Sequence, residues 1–317
     1  MLLILLIIGI AILIFFFGAA FLCYKTGLIR RDKYDRNYVP ERDDDAPMSP
    51  HASEYRRRSK EYNKWWNAQD LQRLEILSED GLRLKAGFLP ADQETDRLAI
   101  VVHGHHCCAG EEGFISKMFH DEGFHVLAMD QRSHGASEGT HITMGYRESR
   151  DIKKWAELMA EKYPDCKMLL YGASMGGATV CMASELDLPE QIKCIISDCA
   201  YTSARGVFTV EMYRAYNWLP CKEFILEMCS RISELFGKFN FNDSDPERAV
   251  ANAKLPMLFL HGTEDKQVPK EMGQRLYDAH PGKKEILFFE GSGHNVSFFH
   301  DEDRYRKACI EFFEGCE

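Results

Sequence analysis

Six short, almost uninterrupted apolar runs recur along the chain, and helical patterns separate most of them. The runs are RLAIVVHG, HVLAMD, KMLLYG, KCIISD, PMLFLHG and EILFFEG. Runs of this kind are typical of strands buried on both faces of a sheet. The helical patterns lie at residues 144–161, 176–186, 269–279 and 304–313. Because strands alternate with helices, we predict an α/β fold with a mostly parallel, doubly wound sheet.

Two segments depart from this alternation. Before the first run, LQRLEILSEDGLRLKAGFLP alternates apolar and polar residues around Ser-Glu-Asp-Gly, which predicts a hairpin of antiparallel edge strands. Between KCIISD and PMLFLHG lie two amphipathic helical patterns, near residues 204–216 and 221–236. We expect this insertion, about residues 202–250, to form a small helical lid over the carboxyl ends of the strands, where ligands bind in such sheets. Ordinary packing of its apolar side chains on the sheet is the alternative.

The N-terminus carries no charged side chain from Met1 to Tyr24. Crossing a hydrocarbon core as a helix takes about 20 apolar residues, so this run predicts one transmembrane helix. A cleaved signal peptide would carry basic residues before the run and a small-residue cleavage site after it. We therefore predict an uncleaved anchor over residues 1–24, a charged linker over 25–60, and one folded domain over 61–317. Within the linker, residues 53–66 have the pattern of a charged helix whose tryptophans pack on the domain.

Composition restricts the class of partner. The 317-residue chain is 45% hydrophobic, and its formal net charge of −10 argues against a nucleic acid partner, which needs clustered basic residues. Partners are expected to be a small or lipid-like molecule and the membrane around the anchor. The oligomeric state is left open.

The flanking charges predict the orientation of the anchor. Basic residues lie only after the apolar run, which places the folded domain in the cytoplasm by the positive-inside rule. Eleven irregularly spaced cysteines without a CxxC motif fit a reducing compartment. A glycan on the Asn295-Val296-Ser297 sequon would be hard to accommodate beside His294, so a glycosylating compartment is disfavoured. The basic residues concerned are Lys25, Arg30, Arg31, Lys33 and Arg36.

The motif that carries chemistry is Gly172-Ala173-Ser174-Met175-Gly176, a G-x-S-x-G. It follows the apolar run KMLLY and opens the helical stretch GGATVCMASEL. Glycines at both ends permit the cramped strand-to-helix turn that presents a nucleophilic serine hydroxyl. The context therefore predicts Ser174 as a nucleophile.

A serine nucleophile needs a histidine base, which an acid in turn orients. His294 lies in the loop after the last apolar run, and Asp265 lies in the turn after the run before it. Asp198, after KCIIS, is the competing acid. All three fall at the carboxyl edge of the predicted sheet, and we favour Asp265 over Asp198.

The reaction also needs hydrogen-bond donors for a developing oxyanion. The backbone N–H of Met175 is one expected donor, and that of His105, in the loop after RLAIVV, is the other. The cluster HGHHCC, with Glu111 and Glu112 nearby, has metal-ligand side chains. It lacks both the paired spacing of a zinc finger and an H-E-x-x-H helix, so we do not favour a metal site.

Taken in order, these motifs resemble those of the α/β-hydrolase superfamily. Within it, the chain resembles small membrane-anchored bacterial serine hydrolases, which are similar to the serine aminopeptidase-like and acyl-esterase-like members. The matching pieces cover about residues 60–315. They are SEDGLRLKAGFLP, VVHGH, MDQRSHGASEG, MGYRESRDIKKWAELM, YGASMGGATV, LHGTEDKQVP and GSGHNVSF. In MDQRSHGASEG, residues 130–139 resemble a structural turn near the site of these proteins. HGHHCC departs from the family's usual loop, which bears on the shape of the acyl pocket.

The resemblance implies an ester hydrolase that forms an acyl-enzyme on Ser174, with His294 and Asp265 as base and orienting acid and no metal or organic cofactor. A peptidase or amidase with the same triad is one alternative. A catalytically silent, membrane-tethered binding protein is the other.

Overall fold

The structure is a computed structural model that describes residues 2–30 and 50–316. Most of the predicted linker, residues 31–49, lies outside this description. The eight strands are β1 Gln72–Leu77, β2 Arg83–Leu89, β3 Arg97–Val102, β4 His125–Met129, β5 Lys167–Ala173, β6 Ile192–Asp198, β7 Met257–Gly262 and β8 Lys284–Phe289. The helices are α1 Leu2–Leu28, α2 Pro50–Asn67, α3 Gly113–Asp121, α4 Glu148–Lys162, α5 Met175–Ala183, α6 Ala204–Ala215, α7 Lys222–Gly237, α8 Pro246–Ala251, α9 Lys270–Ala279, α10 Ser297–His300 and α11 Glu302–Glu314.

All eight strands belong to one sheet, in the order β1-β2-β4-β3-β5-β6-β7-β8. Strands β4, β3, β5, β6, β7 and β8 pair in parallel, whereas β1 and β2 are antiparallel at one edge. The predicted fold class and edge hairpin are therefore confirmed. Because the carboxyl ends of parallel strands meet at one edge, the loops after β3, β5, β6, β7 and β8 converge there.

Both faces of the sheet are covered, as the continuous apolar runs predict. Leu98, Ile100 and Val102 of β3 face a core that includes residues of α4 and α5. Ala99 and Val101 face the opposite core, which includes residues of α3 and α11. Successive side chains of a strand point to opposite faces, so a strand between two helical layers needs apolar residues at every position.

The expected insertion contains helices α6 and α7, which together are called the lid below. They begin and end within one or two residues of the predicted patterns. Helix α8, in the same insertion, packs instead against α5. Helix α3, of nine residues, is not among the helices that the sequence patterns predicted.

Helix α1 is long and apolar enough to cross a membrane, and its most apolar part has a mean hydropathy of 3.2. It does not end at Tyr24 but continues to Leu28 and then contacts the domain. Ile29 forms an isolated antiparallel bridge with His141, and the Arg30 guanidinium donates to the carbonyls of Gly135 and Ser137 at 2.6 and 2.5 Å. Residues 27–30 are thus buried or half-buried against the domain, although the sequence predicted a solvated linker from residue 25 onwards.

Helix α2 also differs from a solvated linker. It begins at Pro50 and its C-terminal end lies on the domain, where Trp66 is 2% exposed. A Cβ placed on Gly87 of β2 would lie 3.1 Å from the Trp66 ring, so the indole packs directly on the strand backbone. The expectation that tryptophans of this helix pack on the domain agrees with this contact.

Candidate active site

Ser174 occupies the turn between β5 and α5, in a conformation that side chains rarely adopt. Its φ is 55° and its ψ is −115°. The turn also brings backbones unusually close, since a Cβ on Gly176 would lie 2.1 Å from the Val102 carbonyl oxygen. A Cβ on Gly172 would lie 2.2 Å from the Gly176 carbonyl oxygen. Both glycines of the motif are therefore required by the fold, and the turn aims the Ser174 hydroxyl at the carboxyl edge of the sheet.

The structure brings Ser174, His294 and Asp265 together from three separate loops. His294 Nε2 lies 2.9 Å from Ser174 Oγ, and His294 Nδ1 lies 2.7 Å from Asp265 Oδ2. The geometry fits a neutral imidazole that donates its Nδ1–H to the carboxylate and accepts the hydroxyl proton at Nε2. This continuous chain of hydrogen bonds joins a hydroxyl, an imidazole and a carboxylate in the order that the sequence analysis expects for a nucleophile, a base and an orienting acid.

Asp265 is held as a buried carboxylate. Its side chain is fully enclosed, which by itself raises its pKa, but hydrogen bonds involving His261 and His294 outweigh burial and hold the pKa below its ordinary range. The backbone N–H groups of Gln267 and Val268 donate to Oδ1 at 2.9 and 2.8 Å. Oδ2 is thereby oriented towards His294, and the carboxylate is ionised at neutral pH.

Asp198, the competing acid, has other partners. Its Oδ2 accepts hydrogen bonds from the hydroxyls of Tyr305 and Tyr171 at 2.7 and 3.4 Å. Burial raises its pKa to about 6, despite the hydrogen bond from Tyr305. The imidazole of His294 is bonded to Asp265 instead.

The loop after β3 passes directly beside the nucleophile. A Cβ on Gly104 would lie 3.6 Å from Ser174 Cβ, which is an ordinary van der Waals distance, so the loop at Gly104 passes within contact of Ser174. The loop is held by Gln131, whose backbone N–H donates to His103 Nε2 at 3.0 Å and whose side-chain amide donates to the His103 carbonyl at 2.6 Å. His105 follows in this loop, and Met175 starts α5, where backbone N–H groups lack partners within the helix. Met175 therefore follows Ser174 directly, and His105 follows the glycine whose backbone lies beside Ser174.

The histidines of HGHHCC contact the end of helix α1. His105 Nε2 donates to the Gly27 carbonyl at 2.7 Å, and His106 Nε2 donates to the Thr26 carbonyl at 3.0 Å. The last carbonyls of a helix lack partners within it, and these imidazoles supply them. The two rings are thus used to attach α1 to the loop beside Ser174.

Potential metal ligands converge elsewhere. Among residues 2–30 and 50–316, the histidine, cysteine and acidic side chains close enough to share one ion are Cys199, Asp265 and His294. Two of these three are already bonded to each other. The group is therefore better explained by the Ser174–His294–Asp265 arrangement than by a metal site.

Sequence reasoning considered Glu112 only as a metal ligand, but the structure places it between two loops of the site. It is buried at the end of a 3₁₀ turn, Ala109–Glu112, after the HGHHCC loop. Asn295, the residue after His294, donates to its Oε1 at 3.5 Å, whereas its buried Oε2 has no hydrogen-bond partner among the described residues. Burial, with the nearby charge of Asp198 as a second cause, raises the pKa of Glu112 to about 8. Glu112 is therefore a neutral acid at pH 7, which no periodicity or motif indicates.

This shift predicts how stability depends on pH. The pKa of Glu112 is about 8 in the folded chain, against an ordinary value of 4.5. Proton binding by Glu112 therefore contributes fully to the unfolding free energy below pH 4.5, the ordinary pKa of the group. This contribution is lost as the pH rises through about 8, its pKa in the folded chain. Glu112→Gln keeps the site neutral, so we expect the unfolding free energy of this variant to fall less steeply than that of the wild type between about pH 5 and pH 9.

Denaturant unfolding in detergent at several pH values measures the difference. Glu161→Gln, at an exposed position of α4, is the control and should follow the wild type. Parallel curves for the wild type and Glu112→Gln would contradict a neutral Glu112.

Comparison with known proteins agrees with this geometry. The family model described as "Serine aminopeptidase, S33" matches residues 93–231, and the one described as "Serine hydrolase (FSH1)" matches residues 171–303. The chain is 26% identical to YqkD of Bacillus subtilis over 72% of this chain and 75% of the relative. It is 22% identical to a monoacylglycerol lipase of Mycolicibacterium smegmatis over 62% of this chain and 80% of that protein.

Among solved structures, an esterase of Pyrococcus furiosus has the same fold. It superposes with a TM-score of 0.64 at 22% identity, covering 78% of this chain and 91% of the esterase. The shared sheet shows that the chain has the α/β-hydrolase fold. The two family models, which overlap at the Ser174 turn, both describe serine hydrolases, so the chain is similar to serine hydrolases of this fold.

Proposed function

We propose that the protein hydrolyses carboxylic esters through an acyl-enzyme on Ser174, with His294 as general base and Asp265 as the acid that orients it. The observation that carries the proposal is the hydrogen-bonded chain from Ser174 Oγ through His294 to Asp265. An ester is favoured as substrate because the chain shares its fold with an esterase of Pyrococcus furiosus and is similar in sequence to a monoacylglycerol lipase.

The proposed reaction follows from the positions of the groups. His294 Nε2 takes the hydroxyl proton as Ser174 Oγ attacks the acyl carbon, and the imidazolium formed is stabilised by the Asp265 carboxylate. Collapse of the tetrahedral intermediate releases the alcohol, to which His294 returns the proton. Water, deprotonated by His294, then attacks the acyl-enzyme and releases the acid.

Oxyanion stabilisation is assigned to the backbone N–H groups of Met175 and His105. Support comes from the position of Met175 in the first turn of α5, where the helix dipole favours negative charge. It comes also from the approach of the loop to Ser174 at Gly104. Donors fixed before the reaction are effective because they need no reorganisation as charge develops.

A lipid-like ester is the proposed substrate class, because the site adjoins the end of helix α1. The Gly27 carbonyl is bonded to His105, which follows the Gly104 turn beside Ser174. If α1 spans the bilayer, the carboxyl edge of the sheet faces the membrane, where amphipathic esters collect. In this proposal α1 is the anchor and the domain from about residue 61 onwards is the catalytic unit.

Ser174→Ala should lower ester hydrolysis by about 10⁴-fold or more, because the triad acts as one unit. The elbow depends on its glycines and not on the hydroxyl, so the far-ultraviolet circular dichroism of the variant should match that of the wild type. The measurement is a panel of p-nitrophenyl esters of increasing chain length, run beside aminoacyl anilides.

The same panel separates the alternatives. Faster turnover of anilides than of esters would favour a peptidase, which the "Serine aminopeptidase, S33" match keeps open. Reaction of the wild type, but not of Ser174→Ala, with a fluorophosphonate probe excludes a silent binding protein. Undiminished ester hydrolysis by Ser174→Ala would refute the mechanism.

Asp265→Asn should lower kcat by about 10⁴-fold, because an amide at this position favours the wrong tautomer of His294. Asp198→Asn is the matched control, and we expect it to change kcat less than about tenfold since its carboxylate bonds to Tyr305 and Tyr171. Both values are measured at saturating ester, with thermal unfolding as a check on folding. A larger loss in Asp198→Asn would transfer the acid role to Asp198.

We also propose that the domain lies in the cytoplasm, on the basis of the basic residues after α1. The side-chain amide of Asn295 is engaged with Glu112, which adds to the argument against its glycosylation. Cys316 offers a test, because its hydrogen bond with Cys194 and the ammonium of Lys283 lower the pKa of its half-buried thiol to about 7. An impermeant maleimide should modify Cys316 only after cell lysis, and Cys316→Ser should remove that modification. Modification of Cys316 in intact cells would reverse the orientation.

A further inference from the structure

Only part of helix α1 is free of the domain. Every residue from 2 to 15 is exposed, whereas Phe16, Ala19, Ala20, Cys23, Tyr24, Gly27 and Leu28 form a stripe that is buried or half-buried. The uncharged sequence does not stop where the exposed part ends, because the first charged residue is Lys25. A hydrocarbon core that follows the uncharged run therefore extends past residue 15, to about the level of Phe21, one helical turn before Lys25.

Helix α7 of the lid lies against this overlapping part of α1. The rings of Phe16 and Phe224 are 5.5 Å apart, and those of Tyr24 and Phe236 are 6.2 Å apart. The two helices therefore run in the same direction, and the start of α7 lies level with Phe16. This is the end of the lid that reaches furthest along α1 towards its N-terminus.

The same end of the lid exposes aromatic side chains. Trp218 is 75% exposed in the turn between α6 and α7, and Tyr213, Tyr216 and Phe224 flank it with about half of each ring in solvent. These four residues are called the lid tip. Tryptophan and tyrosine are enriched where a membrane meets water, and apolar groups of interfacial helices are buried about 5–10 Å below that boundary. Along the axis of α1, Phe16 lies about 7 Å deeper in the hydrocarbon than Phe21, and this depth is within that range.

The charges near the lid tip are compatible with a headgroup environment. The Lys222 ammonium binds the carbonyls of Asn217 and Leu219 at 2.8 Å each and lies over the Tyr213 ring. Its charge is therefore partnered without bulk water. Glu223 and Arg214 are exposed and can extend to the headgroups, as long charged side chains do at interfaces.

We propose that the lid tip is inserted into the phospholipid bilayer that α1 spans, with Trp218 and Phe224 below the headgroups. The proposal rests on the membrane anchoring proposed above, and it makes the lid a second membrane contact. One side of the lid of a membrane-bound enzyme then faces acyl chains.

Depth-dependent fluorescence quenching tests the proposal on the full-length chain in phosphatidylcholine vesicles. The quencher is phosphatidylcholine brominated on the part of the acyl chain nearest the headgroup. Trp66 and Trp155 are at most 2% exposed inside the domain, so Trp218 is expected to supply the quenched component. Trp218→Tyr, which keeps an interfacial aromatic, should remove that component. Trp65→Tyr, on helix α2, is the matched control and should leave it unchanged.

Flotation of the same vesicles and hydrolysis of a p-nitrophenyl ester are measured in parallel. Two results with protein that floats would place the lid tip outside the bilayer and overturn the proposal. One is a quenched component that survives Trp218→Tyr, and the other is the absence of a quenched component from the wild type. Protein that does not float would remove the anchor and the proposal with it. Ester hydrolysis is scored independently of both, so failure of the lid insertion and failure of the proposed esterase activity are distinguishable.

Discussion

The backbone conformation of Ser174 is the constraint on which the site depends. A φ of 55° in a residue with a Cβ costs free energy, of the order of 1–3 kcal/mol, unless the surroundings impose it. Here the backbones of β3, β5 and α5 approach so closely that neither Gly172 nor Gly176 can carry a Cβ. The strained turn puts the Ser174 hydroxyl 2.9 Å from His294, and the buried Asp265 carboxylate fixes the orientation of that imidazole.

Behind these residues lies a second layer of buried polar groups. Glu112 accepts a hydrogen bond from Asn295 in the loop of His294, and Asp198 is bonded to Tyr305 and Tyr171. Burial raises the pKa of both groups, and the charge of Asp198 raises that of Glu112 further, whereas the charge of Asp265 has hydrogen-bond partners that lower its pKa. The site therefore combines one carboxylate kept ionised with one kept neutral, and burial is common to both.

The sheet and the triad were predictable because each leaves a local trace in the sequence. Continuous apolar runs mark the buried strands, and G-x-S-x-G after KMLLY marks the elbow. Chain order then leaves few candidates for the base and the acid. Glu112 and the contacts of His105 and His106 with α1 were not predictable, since they join segments far apart in the chain through single side chains. The linker beginning at residue 25 was also misjudged, because the charge of Arg30 gave no sign that its guanidinium binds two buried carbonyls.

If α1 is the membrane anchor proposed above, its attachment to the domain restricts how the protein can respond to the membrane. A transmembrane helix on a flexible tether adjusts to bilayer thickness by tilting on its own. Here the helix end is bonded to His105, His106 and the turn at Gly135, and its side packs on α7. Tilting an anchoring α1 would therefore rotate the whole domain, so a thicker or thinner bilayer would change the angle at which the carboxyl edge of the sheet meets the lipid surface. Membrane thickness would then set how far Ser174 lies from the headgroups.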